Sequence, residues 1–319
     1  MRFTVPGDDR PTMLQLRPLL ARRIRRRQLR EFVAGLVRTP GLPTTWAQAA
    51  PLLRPVLRGA APGAPLRRTA MPFLSEFVVV DQPDTMTYVT PAQLSVWGVS
   101  ADRVFATARG NLSGAVLAGV ASGPVVVRFV DDGDAYWTSH LLLPGWLDRL
   151  AEQVGGVPVA FAPERGTLLV TADGSEHLPG LFMQAEEIYA RSARALSPMA
   201  YVSDDQGCTI PYPAPAGHPL HHLVGRAERL LAVREYSRQA AESPEPLAPL
   251  VLRADGRAGW RTRAVWAVDA RALLPEADEV QLGERVVPWD AVAPHLKAAE
   301  DLDPVRWRGK GWPPLTGGG

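Results

Sequence analysis

The chain has 319 residues, 46% apolar and 21% charged, which is enough to bury one large core or two modest ones and argues against a disordered chain. Its single cysteine, Cys208, excludes an intramolecular disulfide, so a disulfide-stapled secreted scaffold is out and a reducing cytosol is expected. The net charge of +2 conceals a segregation: residues 1–70 hold fourteen arginines against three acids, net +11, while the remainder is net −9.

In chain order, "PLLARRIRRRQLREFVAGLV" predicts a helix with Pro18 in its first turn and an apolar stripe at Leu29, Phe32, Val33 and Leu36. Arg22, Arg23, Arg25, Arg26, Arg27 and Arg30 make it a basic contact element. The Pro/Gly/Ala-rich passage 51–65 reads as a connector. Residues 1–70 are therefore expected to form a basic helical arm and linker.

From Met71 the signals become regular. "FVVV" and "MTYV" flank the turn "DQPDT" and predict a hairpin. Thr90 and Pro91 open a short helix that Gly98 can stop, and Ser100 caps the next, "ADRVFATARGNL". "PVVVRFV" predicts a buried strand, "GWLDRLAEQVGG" a helix ending in glycine, and "PVAFAPERGTLLVTAD" two strands joined at "PERG". A longer helix, "LFMQAEEIYARSARAL", precedes two strands about "DDQG". Residues 71–213 thus predict an α+β body. Residues 214–319 predict a long helix, a strand pair around "ADGRAG" and a tail whose Trp289, Trp307 and Trp312 pack back.

The body resembles the YtpQ-like proteins, a bacterial family of uncharacterised function, over about residues 77–212. The resemblance rests on the hairpin and helices of "EFVVVDQPDTMTYVTPAQLSVWGVSADRVFATARGNLSG", ending at Asn111 and Leu112, on "DAYWTSHLL", on "PVAFAPERGTLLVTAD" and on "SPMAYVSDDQG". It implies a fold, no cofactor and no particular reaction. Trp137, His140 and Gly166 stand where the family carries an acid, an arginine and an aspartate.

Several constellations invite chemistry. In "DDGDAYWTSHLL", Asp131, Asp132 and Asp134 read as a turn after "VVVRFV", with Tyr136 and Trp137 packing. Ser139 lacks the Gly-x-Ser-x-Gly setting of a nucleophile, and His140 beside it should face elsewhere. His218 and His222 are four apart, but no glutamate accompanies them and Pro219 marks a helix cap, so no zinc is expected. Cys208 reads as a small buried residue. No Gly-rich phosphate loop and no cofactor site emerge. "GAVLAGVASGPVVVRF" is too short and too broken to span a bilayer, so no membrane span is expected.

The sequence therefore predicts a cytoplasmic, non-catalytic binding or adaptor protein with a protein partner. Nucleic acid, through the basic arm, is the less favoured partner. The alternative is a hydrolase-type enzyme whose fold gathers Asp134, Ser139, His140 and Arg165.

Overall fold

Alternation along Phe77–Val80 sends Phe77 and Val79 to one face of a sheet and Val78 and Val80 to the other; all four are buried, so both faces must be covered. The computed structural model describes residues 42–313 apart from 60–64, 84, 113, 115–120, 124, 131–135, 244, 246, 257–258 and 268–270. It also describes a short ladder between β1 (Arg2–Phe3) and β2 (Thr12–Met13). The basic element Arg22–Arg30 and Asp134 lie outside the described residues.

After a short helix α1 (Trp46–Ala49) comes β3 (Leu53–Arg58), followed by β4 (Arg67–Met71), β5 (Leu74–Gln82) and β6 (Thr85–Tyr88). β5 is central: β3 pairs antiparallel along one edge, and β4 and β6 lie end to end along the other. This corrects the connector expected over 51–65, since residues 53–58 are a strand of the body's first sheet. Pro55 obscured it. An edge strand tolerates a proline that an inner strand would not.

The next two helices, α2 (Pro91–Trp97) and α3 (Ala101–Gly110), form as their caps predict. Thr90 and Gln93 make a capping box, Gly98 closes α2 in the left-handed region at φ 64°, and Ser100 accepts from the Arg103 amide. α3 places Val104, Phe105 and Ala108 on Val78 and Val80. Asn111 donates to the carbonyls of Ala50 and Leu53 at 2.7 and 2.9 Å, tying the end of α3 to β3. Beneath them Glu76, fully buried, accepts from Arg68 and from two nitrogens of Arg109.

The second sheet runs in the order β11-β10-β8-β9-β7 and is antiparallel throughout. Its strands are β7 (Val127–Val130), β8 (Pro158–Glu164), β9 (Thr167–Ala172), β10 (Ala200–Ser203) and β11 (Thr209–Pro211). Between β7 and β8 the expected helix proves mostly turns and 3-10 segments, with one α turn, α4 (Ala151–Val154). α5 (Leu178–Arg191) buries Leu181, Phe182, Ala185 and Tyr189 on this sheet.

The long helix α6 (His221–Glu242) bridges two layers. Val224, Ala227 and Leu231 join the core of the second sheet. On its other side Arg229 grips Asp278, and Gln239 binds Arg306. The hydrophobic core therefore runs on past residue 213. The C-terminal strands are β12 (Leu250–Asp255), β13 (Gly259–Trp266), β14 (Ala272–Pro275), β15 (Glu279–Leu282), β16 (Arg285–Pro288), β17 (Lys297–Ala299) and β18 (Arg306–Gly309). They form two sheets, β12-β13-β15-β16 and β14-β18-β17, around Trp266, Leu274, Val280 and Leu282. Trp289 and Trp307 pack edge to face at 6.1 Å and lie half-buried against this core, as expected, whereas Trp312 is exposed. The whole is an α+β fold. Among the described residues no helix is long and apolar enough to cross a membrane.

A candidate anion-binding pocket

Three arginines from distant parts of the chain converge. Arg58 ends β3, Arg165 sits in the tight turn between β8 and β9, and Arg194 follows α5. Backbone bonds hold the last two together: the Arg165 amide donates to the Arg194 carbonyl at 3.0 Å, and Leu196 donates to Pro163 at 3.0 Å. With Met86, Tyr136, Thr138, Ser139 and Gly166 they line a cavity of about 120 Å³. Tyr136 adopts the left-handed region at φ 50°, uncommon for a non-glycine residue, as the chain enters the 3-10 turn Trp137–Leu142 that carries Thr138 and Ser139.

The electrostatics are unusual. Arg58 is only 5% exposed. One of its terminal nitrogens donates to the Leu57 carbonyl at 2.7 Å, and the Tyr88 hydroxyl also bonds it. The Nε atoms of Arg58 and Arg165 are buried without a hydrogen-bond partner. Among the described residues no carboxylate pairs with Arg58, Arg165 or Arg194. Glu164, next to Arg165 in sequence, is turned instead to the hydroxyls of Thr167 (2.9 Å) and Ser192 (2.7 Å). Burial first, and then repulsion from Arg165 and Arg194, lower the Arg58 guanidinium to about 10 against the pull of Tyr88. Burial likewise lowers Arg165, with Arg194 acting in the same direction. Both stay cationic at neutral pH. Among the described residues the cavity thus presents uncompensated positive charge and unused N–H donors to one small space, which is what an anion site requires.

Of the four residues proposed for a hydrolase, Ser139 and Arg165 share this cavity. His140 does not line it. Fully buried, it lies 5.1 Å from Trp137 and 5.0 Å from Trp146, ring centre to ring centre, and donates from Nδ1 to the Tyr136 carbonyl at 3.2 Å. Its Nε2 has no partner, and burial lowers its pKa, so the ring is neutral. Asp134 is outside the described residues. Arg58, Arg194 and Thr138 escaped sequence reasoning because no local motif marks them.

Other candidates resolve differently. His218 precedes α6, its Nδ1 accepting from the Leu220 amide at 3.2 Å, so His218 and His222 do not share a helical face. Among the described residues no group of three His, Cys, Asp or Glu could hold a metal ion. Cys208 is exposed rather than buried, its amide bonded to Asp204 at 2.8 Å in the turn before β11. A larger cleft of about 450 Å³ lies beside α6, lined by Phe73, Tyr236, Glu228 and Asp278 among others. Its Asp278 is already matched by Arg229 and Thr262. Compared with protein-family models, curated proteins and solved structures, the chain finds no match.

Proposed function

We propose that the protein is a cytoplasmic, non-catalytic binding protein that holds an anionic group of its partner between Arg58, Arg165 and Arg194. One observation carries the reading: three arginines line one cavity, none paired with a carboxylate among the described residues, and the most deeply buried has an unmatched Nε. A buried guanidinium without a counter-ion costs several kcal/mol, and a binding role gives that arrangement a use. The reading is favoured over hydrolysis because Ser139, on the cavity wall, has no general base bonded to it among the described residues. His140 does not line the cavity; its ring is packed against Trp137 and Trp146. The cytoplasmic placement rests on the lone Cys208.

The test is thermal unfolding in chloride buffer with small anions added at constant ionic strength. A ligand that binds only the folded state raises the midpoint, by an amount that grows with the logarithm of its concentration above Kd. Phosphate, sulfate or acetate should raise it for the wild type and not for the Arg165→Gln/Arg194→Gln double variant. A wild type indifferent to every anion would remove the reading.

A further inference from the structure

We infer that the group this pocket takes is a dianionic tetrahedral oxyanion, either free phosphate or the phosphoryl group of a small monoester, in preference to a carboxylate. The inference rests on the anion-binding reading above and specifies the ligand.

The charge balance comes first. Three guanidiniums line the cavity, and Arg58 and Arg165 are close enough for each to feel its cationic neighbours. A single negative charge would leave two of the three uncompensated, whereas a dianion leaves one, on the exposed Arg194, where water screens it. Donor geometry points the same way. The arginines approach from three different elements: the end of β3, the β8–β9 turn and the segment after α5. A carboxylate presents two oxygens in one plane and suits a single guanidinium fork. A tetrahedral oxyanion presents oxygens in several directions, so guanidiniums arriving from separate sides can each meet one.

Hydroxyl chemistry and size add to this. Ser139 lines the cavity, and its hydroxyl is available as a further donor. Thr138 is not, because its hydroxyl already donates to the Arg165 carbonyl at 3.3 Å. A space of about 120 Å³ accommodates a head group and little more, so the remainder of a larger ligand must project outwards past Met86 and Arg194, both exposed.

Titration of the ligand separates these cases. A phosphomonoester loses its second proton near pH 6, so its dianion fraction falls about tenfold for each unit below that. Sulfate is dianionic throughout, and acetate is monoanionic above about pH 5. The groups facing the site are Arg58, Arg165 and Arg194, with Tyr88 on Arg58, Glu164 beside Arg165 and His140 behind Tyr136. Sulfate reports any titration of these protein groups, because its own charge is constant.

The experiment is calorimetric titration of the full chain with inorganic phosphate, phenyl phosphate, sulfate and acetate, from about pH 5 to about pH 8. Phosphate affinity should rise about tenfold per unit up to the ligand's own pKa and then level, while sulfate stays flat. Acetate should bind at least tenfold more weakly than phosphate at the upper end. Arg165→Gln should weaken phosphate and sulfate together, and Arg58→Met supplies a second variant should the first fold poorly. Phenyl phosphate matching phosphate places the ligand among monoesters; exclusion of phenyl phosphate restricts it to the free ion. Acetate binding as tightly as phosphate, with both lost in Arg165→Gln, would overturn this inference and leave the anion site standing. If none of the four binds, both fall.

Discussion

Replacing Arg58 with methionine should make the protein more stable in chloride buffer. The guanidinium is 5% exposed and its pKa is lowered from 12.5 to about 10, chiefly by burial. Each unit corresponds to about 1.4 kcal/mol, so carrying the charge costs about 3 kcal/mol in the folded state. A base whose folded pKa is depressed carries its full penalty below about pH 10 and is relieved as pH rises towards its ordinary value; at neutral pH the whole penalty is present. Methionine removes it and fills the space with an unbranched, adaptable side chain. One hydrogen bond is lost besides, to the Leu57 carbonyl, worth about 1 kcal/mol; the pull of Tyr88 is already contained in the lowered pKa. The net expectation is a gain of about 2 kcal/mol, read as a higher urea midpoint with unchanged slope. Saturating phosphate should then raise the wild type and leave the variant where it was, so their order narrows or reverses. If the variant unfolds at lower urea by 1 kcal/mol or more in chloride, Arg58 is a structural clamp and the reasoning fails.

The same denaturation assay checks three further expectations. Arg306→Met should destabilise by about 2–4 kcal/mol, because it orphans the carbonyls of Tyr236, Ala248 and Leu273 and the side chain of Gln239. Glu76→Gln should cost about 3 kcal/mol or more, since it removes the carboxylate that Arg68 and Arg109 share in a fully buried setting. Asp278 is lowered to about 2: burial pushes it up, but bonds from Arg229 and Thr262 outweigh that. Its contribution, about 1–2 kcal/mol after allowing for partial exposure, is therefore present above about pH 4 and lost as pH falls through about 2. Asp278→Asn should flatten that part of the stability profile; an unchanged profile would show the pair adds nothing.

What was legible in the sequence was local. Thr90 with Gln93, Ser100 with Arg103 and Gly98 act within a turn of their own position, so their spacing suffices to place α2 and α3. The β5–β6 and β8–β9 hairpins are equally short-range. β3 was hidden because Pro55 and the following Gly/Pro stretch mimic a connector, while its pairing with β5 is visible only once the sheet exists. The sequence marks α6 as a helix but does not reveal its role. The helix is covered on two sides, so its buried residues, including Glu235 and Gln239, do not form one apolar stripe. At the pocket, Ser139 and His140 are neighbours in sequence, yet a step of one residue on a 3-10 turn rotates the side chain by about 120° and sends His140 into the Trp137–Trp146 cluster while Ser139 joins Arg165. Arg58 and Arg194 are brought to Arg165 only by the topology of two sheets.

Arg58 and Arg306 show why a buried charge does not by itself mark a site. Burial lowers both to about 10, and neither has a carboxylate partner among the described residues. Arg306 has its donors distributed over three backbone carbonyls and one amide oxygen, from the body of α6, from the segment before β12 and from β14. The result is a closed polar network, which stitches α6 to the C-terminal sheets. Arg58 makes a bond to the carbonyl preceding it and one to Tyr88, keeps an unmatched Nε, and faces two further arginines across an open cavity. In the first case the fold itself supplies every acceptor, so removal must destabilise. In the second the described residues supply no such acceptor, so on the anion-binding reading removal should relieve the burial penalty and abolish binding. Opposite responses of these two arginines to the same substitution are therefore the discriminating result, because burial alone would make them behave alike.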